Sequence, residues 1–375
     1  MRIDDRITKL AENILKNSVK LKKGEKIYIE AFSESTKDLF NEFIRIATKM
    51  GAVPFYMYND NSFVKNLVDN ANPQQIEQYA KWHKSLMDDM DCYVAVRGYD
   101  DLFAMSDVSP AKMKTYNEIY YNLVHFDARI PNTRWCVMRY PNDTMAAVSK
   151  MSKKSLEDFF FDCCLVDYKK MGKAMQPLKK LMDKTDKVRI KGINTDLEFS
   201  IKDLKAVVCD GNMNIPDGEV YTAPVKNSIN GYIQFNTDTL YGGVYYSNIY
   251  LEFEDGKIIK AESRANNDKL QKQLSVDEGA KYMGEFAIGV NPYIRKEMMD
   301  ILFDEKIACS LHMAIGNSYS DETFNGNRSS VHWDLVLIQD KAHGGGEIWF
   351  DDKLIRKDGV FVVKELQGLN PDKLK

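Results

Sequence analysis

The hydrophobic pattern of this chain changes its period part-way along, and this change limits the possible folds more than any other feature. In the first half, helical patterns alternate with short apolar runs: KIYIEAF at 26–32, VPFYMY at 53–58, CYVAVRG at 92–98 and RWCVMRYP at 134–141. A β-α alternation of this kind is typical of a mostly parallel sheet covered by helices. We therefore predict an α/β N-terminal domain.

The second half of the chain is rich in strands. A helical pattern covers about 155–182, and the segment GYIQFNTDTLYGGVYYSNIYLEFEDGKIIKAESRA then alternates apolar and polar residues around Gly-Gly and Asp-Gly turns. Antiparallel meanders have this pattern. The segment PYIRKEMMDILF, with Pro292 near its start, predicts a further helix. We predict a domain boundary near 185, with 1–185 forming the α/β domain and 186–375 an α+β, largely antiparallel domain.

Length and charge narrow the classes of function. A chain of 375 residues exceeds the size at which one core usually stops growing, so two domains are expected. The 52 basic and 55 acidic residues leave a net charge of -3 without a basic block, so we expect no nucleic-acid partner. The charged start lacks the apolar core of a secretory signal, and no segment offers a membrane span. We expect a soluble, cytoplasmic protein with no membrane partner.

Cysteine and histidine usage indicates which metal ligands are available. The six cysteines show no C-x-x-C spacing, and most lie in apolar runs, so reduced core thiols are favoured over a structural zinc site. Any metal would then depend on histidines and carboxylates. Of the five histidines, three fall in one short C-terminal stretch: His312, His332 and His343.

Polar residues interrupt a strand that otherwise has the pattern of a buried one. In SSVHWDLVLI, residues 329–338, His332 and Asp334 share one face, because side chains alternate along a strand. Burial of an unpaired carboxylate costs several kcal/mol, so this pair requires a hydrogen-bond network, a salt bridge or a metal.

The same anomaly recurs in three other segments. His312 in ACSLHMAIGNSY and Glu285 in GEFAIGVNP each share a face with small residues, and Glu219 follows a Pro-Asp-Gly turn. A single histidine or glutamate at such a position more often has a structural role. Two histidines and three carboxylates in one domain are harder to explain as separate structural residues. Imidazole and carboxylate donors suit zinc, cobalt or manganese, and bridging carboxylates favour two ions about 3.5–4 Å apart. Tyr319, just past the His312 strand, could donate to an oxyanion or bind a metal. A two-metal hydrolase is the resulting hypothesis.

These residues and their order resemble the signature of the thermophilic-type metalloaminopeptidases, the family of aminopeptidase T, aminopeptidase S and PepS. The segments that carry the resemblance lie between about 215 and 361: PDGEVYTAP, GEFAIGVNP, LFDEKIACSLHMAIGNSY, NRSSVHWDLVLI and GGGEIWFDDKLIRKDGVF. The resemblance implies that residues 186–375 form a metal-binding catalytic domain with five ligands to two divalent ions: Glu219, Glu285, His312, His332 and Asp334. Zinc, cobalt, manganese and magnesium are all compatible with such ligands.

The resemblance also implies a reaction and a partner. The protein would be a hydrolase that removes N-terminal amino acids from short peptides with a free N-terminus, by way of a water activated by both ions. Glu285 would bridge the ions and take up the proton, and Tyr319 would stabilise the oxyanion. The family's homodimers, which enclose the active sites in a cavity, imply a homodimer here.

Two other functions compete with this one. The segment HGGGE at 343–347 is similar to the oxyanion motif of esterases, which makes a serine esterase-like hydrolase the rival enzyme, although the chain has no G-x-S-x-G. A non-catalytic ligand-binding protein, in which the polar cluster is a structural network, is the other alternative. It predicts no tightly bound metal, and equal damage to stability and activity on removal of His332.

Overall fold

The structure is a computed structural model, and it describes residues 4–98, 100–101, 104–105 and 107–375. Its strands, in chain order, are β1 (Lys26–Phe32), β2 (Val53–Asn59), β3 (Cys92–Arg97), β4 (Arg134–Arg139), β5 (Lys187–Gly192), β6 (Thr195–Ser200), β7 (Val207–Cys209), β8 (Asn214–Ile215), β9 (Glu219–Thr222), β10 (Asn230–Gln234), β11 (Thr239–Tyr241), β12 (Val244–Tyr246), β13 (Tyr250–Glu254), β14 (Lys257–Glu262), β15 (Met283–Gly289), β16 (Ser310–Gly316), β17 (His332–Ile338), β18 (Glu347–Phe350), β19 (Lys353–Lys357) and β20 (Val360–Phe361).

The α-helices, in the same order, are α1 (Asp5–Asn13), α2 (Lys37–Lys49), α3 (Asn61–Asn70), α4 (Pro73–Asp88), α5 (Pro110–Tyr116), α6 (Ile130–Asn132), α7 (Asp143–Val148), α8 (Lys153–Cys164), α9 (Tyr168–Met182), α10 (Asn267–Leu274), α11 (Ile301–Asp304) and α12 (Pro371–Leu374). Two segments are π-helical, Ile14–Ser18 and Asn117–Arg129, and 3-10 turns lie at Glu34–Thr36, Glu278–Lys281, Lys341–His343 and Lys364–Leu369. Within the described ranges, no helix combines the length and the apolar character needed to cross a membrane.

The chain divides into two compact units, Met1–Leu165 with Gly211–Ile215, and Val166–Asp210 with Pro216–Lys375. The first unit ends before α9, because α9 packs against β7 and β9 of the second unit. A boundary near residue 185 stays a prediction about which segments fold independently.

The first unit is built on a parallel sheet in the order β2-β1-β3-β4-β8. Since β1 pairs with β2 on one side and with β3 on the other, the sheet has a topological switch point between β1 and β3. Tyr28 of β1 and Tyr93 of β3 share a buried cluster with residues of α3, α4 and the π-helix, and α2 packs on β1 and β2 outside this cluster. The parallel α/β fold predicted from the first half is confirmed.

The second unit contains two larger antiparallel sheets. One has the order β14-β13-β10-β6-β5-β18-β19-β20, and the other has the order β17-β16-β15-β9-β7. Phe286 of β15 lies edge-on to Phe199 of β6, with ring centroids 5.1 Å apart, so the bulky face of the five-stranded sheet packs on the larger sheet. The other face of the five-stranded sheet carries the polar residues. The predicted largely antiparallel fold is confirmed for this half.

Candidate metal centre

The predicted ligands all lie on one face of the five-stranded sheet, and the strand register explains why that face has room for them. Residues paired across antiparallel strands share a face. Each predicted ligand pairs with a small residue: Glu219 with Gly289, Glu285 and Asp334 with Ala314, His312 with Ala287, and His332 with Gly316. Small partners leave space above the sheet, and the ligand side chains converge in that space.

His312 is fully buried and lies in the middle of the group. Its Nε2 is 3.4 Å from Glu219 Oε2, 3.5 Å from Glu285 Oε1 and 3.9 Å from Asp334 Oδ1. His332 Nε2 is 3.4 Å from Glu285 Oε2 and 3.5 Å from Asp334 Oδ1. Glu285 therefore presents one carboxylate oxygen to each imidazole.

Several buried polar atoms of this group have no hydrogen-bond partner among the described residues: Glu219 Oε2, Glu285 Oε2, Asp334 Oδ1 and both ring nitrogens of His312. Leaving such a group unsatisfied costs about 1–3 kcal/mol, and more when it is charged. Two sets of three ligand atoms each lie within 4.8 Å of one another, Glu219 with Glu285 and His312, and Glu285 with His332 and Asp334. Oxygen and imidazole donors in this arrangement fit divalent ions, with Glu285 common to both sets.

The orientation of His332 is determined by a backbone contact. Its Nδ1 lies 2.8 Å from the carbonyl oxygen of Asn317. Because a carbonyl oxygen can only accept, Nδ1 is the donor, and Nε2 is left facing the carboxylates. This hydrogen bond fixes the tautomer and the orientation of the imidazole, as the ring of a metal-ligating histidine usually is fixed.

Tyr319 lies at the edge of the group. Its hydroxyl is 3.4 Å from His332 Nε2, and its ring packs against Tyr221 with centroids 5.2 Å apart. Loss of solvent around the hydroxyl and the nearby carboxylates of Glu285 and Asp334 raise the pKa of Tyr319 well above its usual range. The phenol therefore keeps its proton and can act as a hydrogen-bond donor.

The imidazoles and carboxylates of the group shift one another's pKa values through their opposite charges. Burial disfavours a charged imidazole, but Glu285 and Glu219 outweigh it and raise the pKa of His312 to about 9. Burial also disfavours a charged Asp334, yet the imidazoles bring the pKa of this carboxyl down to about 2. Protons on the imidazoles offset the negative charge of the carboxylates, and a bound divalent ion would take over this role.

Two residues that the sequence analysis did not single out also belong to the group. Glu305 offers a carboxylate oxygen within 4.8 Å of ligand atoms of His312 and Asp334. Burial raises the pKa of Glu305 to about 8, against the lowering effect of Lys306. The Lys306 ammonium is buried and lies 2.7 Å from Glu305 Oε1, and it also bonds to Glu219.

Glu305 and Lys306 escaped detection because they lie in the connection between α11 and β16, where neither helical nor strand periodicity applies. The available signal was the charged run Asp304-Glu305-Lys306 directly before an apolar strand. A second potential metal group, Cys209 with Asp217 and Glu219, already has the Lys306 ammonium 3.6 Å from Asp217 Oδ1.

The esterase-like segment HGGGE is a turn that leads into a strand. His343 Nδ1 bonds to Asp340 Oδ1 at 2.7 Å, and Gly344 and Gly345 have positive φ angles of 96° and 74°. The segment continues into β18, which forms an antiparallel hairpin with β19. These glycines serve a backbone turn.

A buried cluster of imidazoles and carboxylates on an antiparallel sheet is the kind of site that metalloproteins have. A family model described as thermophilic metalloprotease (M29) matches residues 3–359. The chain belongs to this family, which confirms the resemblance inferred from its segments.

Curated relatives match a shorter part of the chain. Aminopeptidase T from Thermus thermophilus is 32% identical over 141 residues, which cover 34% of this chain and 34% of the relative. Aminopeptidase AmpS from Bacillus subtilis is 32% identical over 121 residues, 31% of this chain and 29% of the relative. The matched segments thus span about a third of the length of these relatives.

Two solved structures share the fold over nearly the whole chain. Wild-type AmpT from Thermus thermophilus has a TM-score of 0.81 at 20% identity, covering 96% of this chain and 99% of that chain. The 2,5-dihydroxypyridine dioxygenase from Pseudomonas putida KT2440 has a TM-score of 0.61 at 13% identity, covering 97% and 100%. At these identities the likeness concerns the fold alone.

Proposed function

We propose that the protein is a metal-dependent aminopeptidase, an exopeptidase that releases N-terminal amino acids from short peptides with the aid of two divalent ions. This proposal rests on the convergence of five potential ligands, several of whose buried nitrogen and oxygen atoms have no hydrogen-bond partner among the described residues. Membership of the thermophilic metalloprotease family and relatives named aminopeptidases support it.

The ligand assignment follows the two sets of converging atoms. Glu219 and His312 would hold one ion, His332 and Asp334 would hold the other, and Glu285 would contribute to both. Divalent ions bound at such a site lower the pKa of water and polarise a carbonyl group. Zinc, cobalt, manganese and magnesium are all candidates, because this donor set accepts each of them.

Four side chains would handle protons and charge. Glu285 and Glu305 are the two carboxylates placed to take up a proton and return it to the leaving amine. Lys306 holds Glu305 in position through its ion pair. Tyr319 donates a hydrogen bond to the oxyanion that develops on the substrate carbonyl.

The substrate and assembly proposals rest on the resemblance. A requirement for a free N-terminus defines the aminopeptidase, and an enclosed homodimer would limit substrates to short peptides. Sedimentation velocity tests the dimer, which requires a single species of twice the 43.1 kDa chain mass.

The decisive experiment compares aminoacyl-p-nitroanilides with their N-acetylated counterparts. Activity is measured after chelation and again after zinc, cobalt, manganese or magnesium is added back. We expect metal to restore cleavage of the free-amine substrates only. Metal content, measured by mass spectrometry, should approach two ions per chain.

The matched control is Glu278→Gln, which removes an exposed carboxylate of the same unit that pairs with Lys257. It should leave both metal content and activity unchanged. Absence of cleavage with every metal would refute the aminopeptidase proposal, and equal cleavage of acetylated substrates would refute the requirement for a free amine.

A further inference from the structure

The first unit contains a cavity of about 390 Å³ that has no part in the proposed metal chemistry. Ligand sites in proteins typically have volumes of about 300–1,000 Å³. Its walls combine charged and aromatic side chains, among them Glu30, Arg97, Tyr79, Tyr120, Tyr121 and His125. All the described residues that line the cavity belong to the first unit.

The cavity lies where an open α/β sheet usually binds ligands. Phe32 ends β1, Asn59 ends β2 and Arg97 ends β3, and Glu30 lies two residues before Phe32 on the same face. The register places Phe32 opposite both Asn59 and Arg97. These residues therefore share one face at the carboxyl edge of the sheet. The switch point between β1 and β3 is at this edge, and ligands of such sheets bind in the crevice there.

One wall of the cavity is a stack of tyrosine rings. Tyr120 stacks on Tyr116 with centroids 4.9 Å apart and on Tyr79 with centroids 5.7 Å apart. Phe63 and Tyr121 also line the cavity, and they are 65% and 36% exposed. Exposed aromatic rings beside a ring stack offer flat apolar surface to a planar ligand.

The π-helix Asn117–Arg129 supplies Tyr120, Tyr121 and His125 to the cavity. A π-helix is rare, and it occurs most often as a single turn at a functional site. Here it runs for 13 residues. Its presence directly at the cavity is a second, independent indication of a binding site.

The charges around the cavity favour an anionic group on the ligand. Glu30 accepts hydrogen bonds from Asn59 Nδ2 at 2.8 Å and from the Tyr93 hydroxyl at 2.6 Å, and its one negative charge stands against the two guanidinium groups of Arg97 and Arg129. Arg97 supplies a cation to the wall. Behind His125 lies Arg129, whose buried Nη1 has no hydrogen-bond partner among the described residues.

We propose that this cavity binds a small planar aromatic carboxylate, with its ring against the tyrosine stack and its carboxylate directed to Arg97. A guanidinium recognises a carboxylate through paired hydrogen bonds, and an aromatic ring gains by stacking. A ligand with only a ring would leave Arg97 without an anionic partner from the ligand, and a ligand with only a carboxylate would leave the tyrosine stack uncovered. None of the residues that line this cavity is a candidate ligand of the metal centre.

The test is calorimetric titration of the full-length, metal-free protein, because chelation removes any coordination of a carboxylate by metal. Three probes share one ring: 3-indolepropionate has a carboxylate, L-tryptophan has a carboxylate and an amine, and tryptamine has only an amine. We expect 3-indolepropionate and L-tryptophan to bind, and tryptamine to bind at least about tenfold more weakly.

Variants locate the binding. Arg97→Met should weaken 3-indolepropionate about tenfold, and Tyr121→Ala about threefold. Arg45→Met, which removes an arginine of α2 outside the cavity, and Glu285→Gln should leave affinity unchanged. Circular dichroism checks that Arg97→Met folds. If it does not, the affinity of Tyr121→Ala tests the location of the site, because the Tyr121 side chain is 36% exposed and its removal spares the core.

Three results would overturn the proposal. The first is no binding of either carboxylate probe. The second is equal affinity for tryptamine and 3-indolepropionate, which would show that the carboxylate of the ligand has no role in binding. The third is binding that Glu285→Gln abolishes while Tyr121→Ala leaves it intact, which would place the ligand at the metal centre.

Discussion

Glu285 and Glu305 are neighbouring carboxylates with different surroundings. Glu285 faces two imidazoles, whereas Glu305 is paired with the Lys306 ammonium and takes part in one ligand set only. A residue shared between two ions should matter for metal binding, and a residue at the edge should matter for proton transfer.

The first prediction separates these two roles. Glu285→Gln should lower metal content, because it removes a charge common to both ligand sets. Glu305→Gln should keep the metal and reduce kcat by about 10²–10⁴-fold, the usual contribution of general acid-base catalysis. Metal analysis beside steady-state kinetics measures both. Loss of metal from Glu305→Gln, or full activity in it, would contradict the assignment.

The second prediction concerns Lys306, whose ammonium is buried among carboxylates of Asp217, Glu219 and Glu305. Lys306→Met should reduce the free energy of unfolding by about 3–5 kcal/mol, because the carboxylates lose their buried counter-charge. Urea titration of the metal-free protein measures this. Lys257→Met, which breaks an exposed pair with Glu278, is the matched control and should have little effect.

At the scale of elements, strands were predicted better than helices. The apolar runs at 26–32, 53–58, 92–98 and 134–141 correspond to β1–β4 within a residue or two at each end. The region 155–182, predicted as one helical pattern, forms two helices. Helix α8 ends at Cys164, and α9 begins after Asp167, whose side chain accepts a hydrogen bond from Lys170 N. A continuous helical period does not show such a break.

The helix predicted in PYIRKEMMDILF was largely wrong. Only Ile301–Asp304 is helical, and Met299 has a positive φ of 59°. The backbone of this segment is used elsewhere: the Ile294 carbonyl accepts from Ala308 N at 2.9 Å. These contacts hold the connection that carries Glu305, and a tertiary requirement of this kind overrides helical spacing.

The third prediction tests the small residues of the strands. Ala314→Ile places a branched side chain between Glu285 and Asp334, with which Ala314 pairs. We expect lower metal content and activity with the fold retained, because isoleucine suits a strand but fills the ligand space. Ala261→Ile, on β14 of the other sheet, is the control. Normal metal loading in Ala314→Ile would contradict the role of this space.

The fourth prediction concerns acid stability of the first unit. Burial, and then Arg129, lower the pKa of His125 to about 2, and Arg129 Nε donates to His125 Nδ1. The unfolded chain binds a proton at this histidine below about pH 6.5, whereas the folded chain does not. The contribution of His125 to the free energy of unfolding is therefore complete above about pH 6.5. Below that pH, it falls by about 1.4 kcal/mol per pH unit.

Urea titrations from pH 7 to pH 5 measure this effect. Relative to wild type, His125→Gln should lose less stability as the pH falls. His343→Gln, in an exposed turn, is the control and should not reduce the acid sensitivity. Parallel stability curves for His125→Gln and wild type would contradict the prediction.

At the scale of the whole molecule, the fold alone does not identify the chemistry. It is shared with the structure of AmpT from Thermus thermophilus and with that of a dioxygenase, at 20% and 13% identity. The proposed function therefore rests on the ligand set and on the family match, which extends over residues 3–359.

The fifth prediction links metal to the stability of the protein. Ions that bind only the folded state stabilise it by about 2.7 kcal/mol when their concentration is 100 times Kd. Chelation should therefore lower Tm in differential scanning calorimetry, and Glu285→Gln should reduce this response. A Tm that chelator leaves unchanged would instead favour a structural polar network.

The sequence by itself determined which residues face together along each strand, because side-chain alternation is a local property of the extended backbone. It therefore placed His332 with Asp334 and indicated the donor types. Only the tertiary structure decided that β17, β16, β15 and β9 are neighbours, that a connection adds Glu305 and Lys306, and that tyrosines of a π-helix line a cavity. These relations depend on hydrogen bonds and packing between segments distant in the chain, and no local periodicity encodes them.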